Sequence, residues 1–157
     1  MFLRSYKTGS RWAFFCWNNE TINGKPYLSR FFFIKTPWFS VFLNVLHGPD
    51  TYSHLHDHPV DFLSLLLWGG YSEHSVYELY TEGGGYLGTT NRGIEYHSWY
   101  NWMPHTKRHR IIGTTGKVVT LCFASAKRQD WGYFVDNVKV PWQVYRQQLG
   151  DRNADAS

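Results

Sequence analysis

Three histidines stand at alternate positions in one short segment of the chain, at His54, His56 and His58. In an extended backbone, side chains two residues apart point to the same side. A pair such as His56 and His58 can therefore bring two imidazoles to one point. Histidine is the commonest metal ligand in proteins, and its nitrogens suit zinc, iron, copper and nickel. The pattern favours a metal site that needs a third ligand from elsewhere in the chain, and a solvated loop is the alternative.

Short apolar runs separated by turn residues surround these histidines, which is typical of an all-β domain. Residues 62–68 are almost continuously apolar, which predicts a strand buried on both faces, and Gly69-Gly70 after them is a hairpin signal. Such closely spaced strands leave little room for helices, and a jelly roll or barrel protects their edges. Other predicted elements are strands at 27–34, 39–46, 71–80, 95–102, 108–112 and 117–124, a weak strand or loop at 86–93, a segment across a sheet edge at 131–145, and a helical turn at 144–149.

Length and composition favour one domain over residues 1–149, followed by a flexible polar tail at 150–157. The net charge is +4, and no long basic stretch requires a nucleic acid as partner. No apolar run approaches the ~20 residues that span a bilayer, and the N-terminus lacks the apolar core of a signal peptide. The two cysteines, Cys16 and Cys122, are isolated and are expected to be buried thiols, with a disulfide between them as the alternative. These features predict a cytoplasmic protein without a membrane partner.

The segment around His56 resembles the first motif of the cupin superfamily. That motif has two histidines two residues apart, a glutamate five residues after the second, and a glycine seven residues further on. His56 and His58 match the histidines, and Pro59 and Gly70 match a proline and the glycine found in such motifs. Leu63 stands at the position of the glutamate, so the usual carboxylate ligand is missing in this register.

The second cupin motif has a proline and a histidine separated by four residues, and Pro104 and His109 are similar to it. The wider pattern over residues 40–145 is similar to small uncharacterised cupins of bacterial and phage genomes. The resemblance implies an all-β jelly-roll barrel, the double-stranded β-helix, with short peripheral segments. It also implies that His56, His58 and His109 hold one divalent transition metal ion, which would be iron, nickel, zinc or manganese.

Other side chains compete for these roles. A second register of the first motif would use His54, His56 and Asp61, and His105 is the substitute for His109. The register with His58 is preferred because it keeps both the proline and the glycine of the motif.

Glu73 is the expected catalytic residue. If its side chain faces inward, it would serve as a general base or a fourth metal ligand, and an exposed strand position is the alternative. Asp57 is expected to point away from the metal and to orient a neighbouring histidine. The basic run at 107–110 is expected to be a solvated strand edge, or else a rim that attracts an anionic substrate.

Three neutral imidazoles leave open positions on a metal, as a catalytic site requires. Cupins with three histidines include thiol dioxygenases, so the resemblance implies a metal-dependent enzyme that acts on a small molecule, with oxygen chemistry as the leading hypothesis. The alternatives are a non-catalytic cupin that binds or senses a ligand, and a sugar isomerase or epimerase without redox chemistry. The resemblance also implies a homodimer, with the aromatic strands near the N-terminus as the interface.

Overall fold

Two facing β-sheets form the body of the protein. The computed structural model describes residues 4–5, 10–22, 24–83 and 85–150. Residues 151–157, most of the predicted tail, lie outside this part. The strands are β1 (Arg4–Ser5), β2 (Ala13–Ile22), β3 (Lys25–Lys35), β4 (Phe39–Leu46), β5 (Leu55–His56), β6 (Phe62–Trp68), β7 (Tyr71–Tyr80), β8 (Tyr86–His97), β9 (Tyr100–Met103), β10 (Lys107–Thr114), β11 (Val118–Ser125), β12 (Gly132–Val135) and β13 (Val138–Pro141), followed by helix α1 (Trp142–Gln148).

The strand order is that of a jelly roll. The first sheet runs β1-β2-β3-β4-β11-β6-β9 and the second runs β13-β12-β5-β10-β7-β8. Their shared centre sets β4-β11-β6-β9 against β5-β10-β7-β8, which is the order that two Greek keys produce. From β4 onward the chain repeatedly crosses from one sheet to the other, so residues distant in sequence meet between the sheets. The predicted fold class, an all-β jelly roll or double-stranded β-helix, is confirmed.

Three clusters of buried apolar side chains lie in the described interior, among them one mixed core and one aromatic core. Cys16, Phe32, Phe42 and Cys122 pack together between the sheets, and both thiols are buried and unpaired, as the sequence predicts. The second core lies beneath β12 and α1, where the ring of Tyr133 stacks on that of Tyr145 at a centroid distance of 4.1 Å. This core fixes the C-terminal segment, which pairs with β5 across the edge of the second sheet as predicted.

Strand β6 differs from its prediction on two counts. Leu67 and Trp68 are 57% and 72% exposed, because each sheet of a jelly roll buries only the face that turns toward the other sheet and a β-bulge between Leu66 and Trp68 interrupts the alternation of side chains. The Gly69-Gly70 turn also does not close a hairpin, since β6 belongs to the first sheet and β7 to the second. The turn nevertheless requires its glycines: Gly69 has a φ of 72°, and a Cβ on Gly70 would lie 2.8 Å from the carbonyl oxygen of His97.

The single strand predicted over 95–102 is also wrong, because it is divided between the sheets. Strand β8 ends at His97 in the second sheet, and β9 begins at Tyr100 in the first. At the C-terminal end, the predicted helical turn is the seven-residue helix α1. Among the described residues, no helix has both the length and the apolar character that crossing a membrane requires.

Candidate metal centre

The second sheet brings His56, His58 and His109 together. His56 lies on β5 and is the register partner of His109 on β10, while His58 follows in the segment that leads to β6. Each imidazole offers one nitrogen, and these three nitrogens lie within 4.8 Å of one another. Nε2 of His58 and Nε2 of His109 are 2.8 Å apart. The three predicted ligands are therefore neighbours in space.

The three nitrogens fit a divalent transition metal ion. Two imidazole nitrogens bound at ~2.0–2.1 Å to one tetrahedral zinc lie roughly 3.3 Å apart, a value between the 2.8 Å of the His58–His109 pair and the 4.8 Å limit of the group. Burial outweighs the charge of Asp50 and lowers the pKa of His56 to about 4. Burial, helped by the charges of His109, His56 and Arg30, holds the pKa of His58 well below its usual range. Neutral rings at physiological pH keep the lone pairs with which imidazole binds metals.

Glu73 on β7 lies directly behind His109. Its carboxylate is fully buried, and Oε2 accepts a hydrogen bond from Nδ1 of His109 at 2.8 Å. The proton of His109 is thereby placed on Nδ1, so that Nε2 is the nitrogen free to face the other histidines. Burial alone would raise the pKa of Glu73, but hydrogen bonds from His109 and His97 and the charge of Lys107 hold it well below the usual value.

The carboxylate of Glu73 is the centre of a buried polar cluster. Oε1 contacts Nζ of Lys107 and accepts from Nε2 of His97 at 3.1 Å. Oε2 also accepts from the amide of Asn101 at 3.1 Å, and that amide donates to the hydroxyl of Tyr71 at 2.8 Å. The exposed position considered for Glu73 is therefore wrong. Its role as a base or fourth ligand stays a prediction, and both its oxygens already accept hydrogen bonds on the Nδ1 side of His109.

Residues 107–110 are neither a solvated edge nor an anion-attracting rim. Lys107 is 1% exposed because it forms the ion pair with Glu73 inside the protein. Arg108 is also buried, and its guanidinium lies 3.8 Å from the centroid of the Phe134 ring. Arg110 donates to the carbonyl oxygen of Ser53 at 2.6 Å. Strand alternation turns Lys107 and His109 to one face, which is the face that meets Glu73.

Asp50 lies beside His56. The Nδ1 atom of His56 is buried without a hydrogen-bond partner among the described residues, and Oδ2 of Asp50 lies 3.8 Å away. Asp50 is held in place because Oδ1 accepts from the hydroxyl of Tyr27 at 2.5 Å and Oδ2 from the backbone N–H of Ile111 at 2.7 Å. Sequence analysis did not identify this residue, although it stands in the turn that precedes the histidines.

The alternative ligands lie elsewhere. Nδ1 of His54 is 2.7 Å from the hydroxyl of Tyr145. Asp61 accepts from both the backbone N–H and the ring of His105 at 2.7 Å, and Arg128 lies 3.3 Å from its other oxygen. The structure therefore does not bring His54, Asp61 or His105 into the group of three histidines.

Asp57 points away from the three histidines, as expected, but among the described residues its carboxylate contacts no histidine side chain. Its carboxylate accepts from the backbone N–H of Gly132 at 2.8 Å, from Gln129 at 2.9 Å and from Lys139 at 2.5 Å. Asp57 therefore holds the strands β12 and β13 against the histidine segment, and its expected role in orienting a neighbouring histidine is wrong.

The histidines face a cavity of about 260 Å³ between the two sheets. Most of its wall is apolar, with aromatic rings from Phe32, Phe42 and Phe62. Because the three nitrogens lie at the wall of this space, a small molecule inside it would have direct access to a metal ion held there.

At low sequence identity, this chain is similar to several solved structures. No family model matches the chain, and no curated protein sequence matches it. A cupin-2 domain protein from Rhodospirillum rubrum is 14% identical with a TM-score of 0.48, and the match covers 98% of this chain and 94% of that one. Fe(II)-HppE with the alternative substrate (S)-1-HPP is 9% identical, with a TM-score of 0.46 and coverage of 69% and 54%. Streptomyces PAC13 with uridine is 11% identical, with a TM-score of 0.44 and coverage of 76% and 85%. The fold itself is assigned from the strand order.

Proposed function

We propose that this chain is a metal-dependent cupin enzyme that acts on a small molecule and holds one divalent transition metal ion on His56, His58 and His109. The observation that best supports this proposal is that three imidazole nitrogens converge at the wall of a cavity. A structural metal site is usually closed by a fourth protein ligand, whereas a catalytic site keeps a position open. The cavity also favours an enzyme over the alternative in which side chains fill the pocket.

Iron, nickel, zinc and manganese are the candidate ions, and oxygen chemistry on iron is the leading form of the proposal. A bound ion would supply Lewis-acid or redox chemistry at its open positions. The protein would supply the rest: neutral rings on His56 and His58, and a third ring fixed by a carboxylate. We assign Glu73 a positioning role, in which it acts through His109, as partners of metal-bound imidazoles commonly do. General-base catalysis by Glu73 is the competing assignment.

The proposal is tested by purifying the protein in the presence of iron, nickel, zinc or manganese and measuring metal content by elemental analysis. One equivalent of at least one metal per chain is expected. Oxygen uptake by the iron form with panels of small thiols and catechols then tests the redox form of the proposal. Failure to bind any of the four metals, at purification or in titration, would contradict a metal-dependent function. A metal-loaded protein that uses no oxygen would favour a non-redox reaction.

We further propose that the protein forms a homodimer through the outer face of β2 and β3. Four aromatic rings form a cluster there, in which the ring centroid of Phe31 lies 6.5, 5.1 and 5.1 Å from those of Phe15, Trp17 and Phe33. Phe15 and Trp17 are 53% and 36% exposed. Contiguous exposed aromatic surface of this kind is typical of interfaces.

The dimer is tested by measuring molar mass with light scattering. The expected mass is twice the 18.5 kDa of one chain, and it should fall toward that of one chain in Trp17→Ser. Trp99→Ser is the matched control, since Trp99 is 77% exposed and lies outside the cluster. A monomeric wild-type protein would exclude the dimer.

A further inference from the structure

A row of polar side chains crosses the cavity wall opposite the three histidines. In the register of the first sheet, Arg30 on β3 is paired with Asn44 on β4, which is paired with Thr120 on β11. All three line the cavity. The neighbouring pair on one side, Phe32 and Phe42, is aromatic and also lines it. One charged group thus stands in a largely apolar wall, facing the sheet that holds the histidines.

The guanidinium of Arg30 is fixed in place but has no anionic partner in the described residues. Its Nε donates to Oδ1 of Asn44 at 2.8 Å, and its Cζ lies 4.6 Å from the centroid of the Phe42 ring. Within the same part of the chain, no acceptor contacts its two terminal amino groups. Arginine stays charged at all physiological pH values, and a half-buried charge without a counter-ion costs free energy. An anionic ligand would remove that cost.

The charged residues that line the cavity, taken together, favour an anionic ligand. Its described lining contains two cations, Arg30 and Lys35, and one carboxylate, that of Asp50. Both oxygens of Asp50 already accept hydrogen bonds, from Tyr27 and from the backbone of Ile111. A divalent ion on the histidines would add two further positive charges, so a ligand that enters this space is selected for negative charge.

We infer that the ligand of this cavity is a small organic acid whose carboxylate binds Arg30. The planar fork of a guanidinium matches a carboxylate with two parallel hydrogen bonds. The apolar body would contact Phe32 and Phe42, and the far end would face the histidines. The cavity, at about 260 Å³, is below the ~300–1,000 Å³ typical of drug-sized ligands, so the acid must be small. Its identification as a substrate rests on the proposed function, whereas the anion site itself does not require the metal.

The experiment titrates butanoate, hexanoate and benzoate, each compared with its neutral amide, into the metal-free and the zinc-loaded protein by calorimetry. At least one acid should bind both forms, and its amide should bind much more weakly. Arg30→Gln should weaken binding of that acid by about 10- to 100-fold, the usual effect of losing a hydrogen-bonded charge. Arg30→Lys keeps the positive charge but not the planar fork of the guanidinium, so it should lose less affinity for the acid than Arg30→Gln does. Arg11→Gln, which removes an exposed arginine, is the matched control and should bind as the wild type does.

Thermal melting and zinc affinity show whether each variant is folded. Equal affinity of wild type and folded Arg30→Gln for the acid would overturn the inference while leaving the metal proposal intact. Binding of the amide as tightly as the acid, or no binding of any acid by the metal-free protein, would also overturn it. If butyl phosphate binds more tightly than the acids and its binding depends on Arg30, the carboxylate assignment is overturned in favour of a phosphate ester. Failure to bind zinc would instead count against the proposed function, since the anion titration of the metal-free protein is independent of it.

Discussion

Replacing His109 with alanine is expected to abolish stoichiometric metal binding. The three histidines are the only protein ligands proposed, so each contributes a large share of the binding free energy. Structural zinc sites provide ~10–16 kcal/mol in total, so losing one of three ligands should cost roughly 4 kcal/mol, or about 1,000-fold in affinity. The readout is zinc or nickel affinity by competition with a chelator of known affinity.

His105→Ala is the matched control for this substitution. His105 lies four residues before His109 and was the alternative ligand in the sequence, but in the structure its ring pairs with Asp61. The variant should bind metal as the wild type does. Full metal affinity in His109→Ala combined with its loss in His105→Ala would show that the second motif has been aligned out of register.

Much of the candidate metal centre can be predicted from the sequence, because its histidines are recognised by their spacing within short segments. His56 and His58 are two residues apart, and the backbone alone turns alternate side chains to one side. The spacing of Pro104 and His109 is also local, and the topology confirmed here pairs β5 with β10. Strands β4, β6 and β7 begin and end at the predicted residues, since turn residues interrupt the chain on either side of each strand.

The residues that sequence analysis misjudged are those fixed by contacts between distant strands. Lys107 occurs in a basic run that looks solvated, but it lies on the same face of β10 as His109 and meets Glu73 on the adjacent strand β7. His97 donates to the same carboxylate from β8, after a turn of glycines. Strand β2 was not predicted either, because its centre, Asn18-Asn19-Glu20, is polar. Local pattern cannot reveal a partner that only the strand order supplies.

Glu73→Leu is expected to destabilise the protein by about 3–5 kcal/mol, the usual cost of removing one member of a buried ion pair. The ammonium of Lys107 would be left inside the protein with Oδ1 of Asn101, at 3.4 Å, as its remaining acceptor among the described contacts. Lys107→Met should cost less, because the carboxylate of Glu73 keeps the donors His109, His97 and Asn101. Urea unfolding of the metal-free protein measures both.

A double variant measures how far Glu73 and Lys107 stabilise each other, as distinct from their contacts with other residues. Glu73→Leu with Lys107→Met removes both charges, so it should be more stable than Glu73→Leu alone. Strictly additive losses would mean that the two side chains do not stabilise each other, which would contradict the ion pair as the reason for their burial.

Metal affinity then distinguishes a positioning role of Glu73 from a purely structural one. Glu73→Gln keeps the shape of the side chain but weakens the acceptor behind His109, so it should reduce metal affinity by about 10- to 100-fold, as loss of such partners does. Lys107→Met leaves the hydrogen bond to His109 in place and should lower stability with little effect on metal affinity. If both variants lose metal affinity in proportion to stability, Glu73 supports only the fold. If Glu73→Gln keeps full metal affinity but loses turnover, the carboxylate takes part in the reaction itself, as the sequence first suggested.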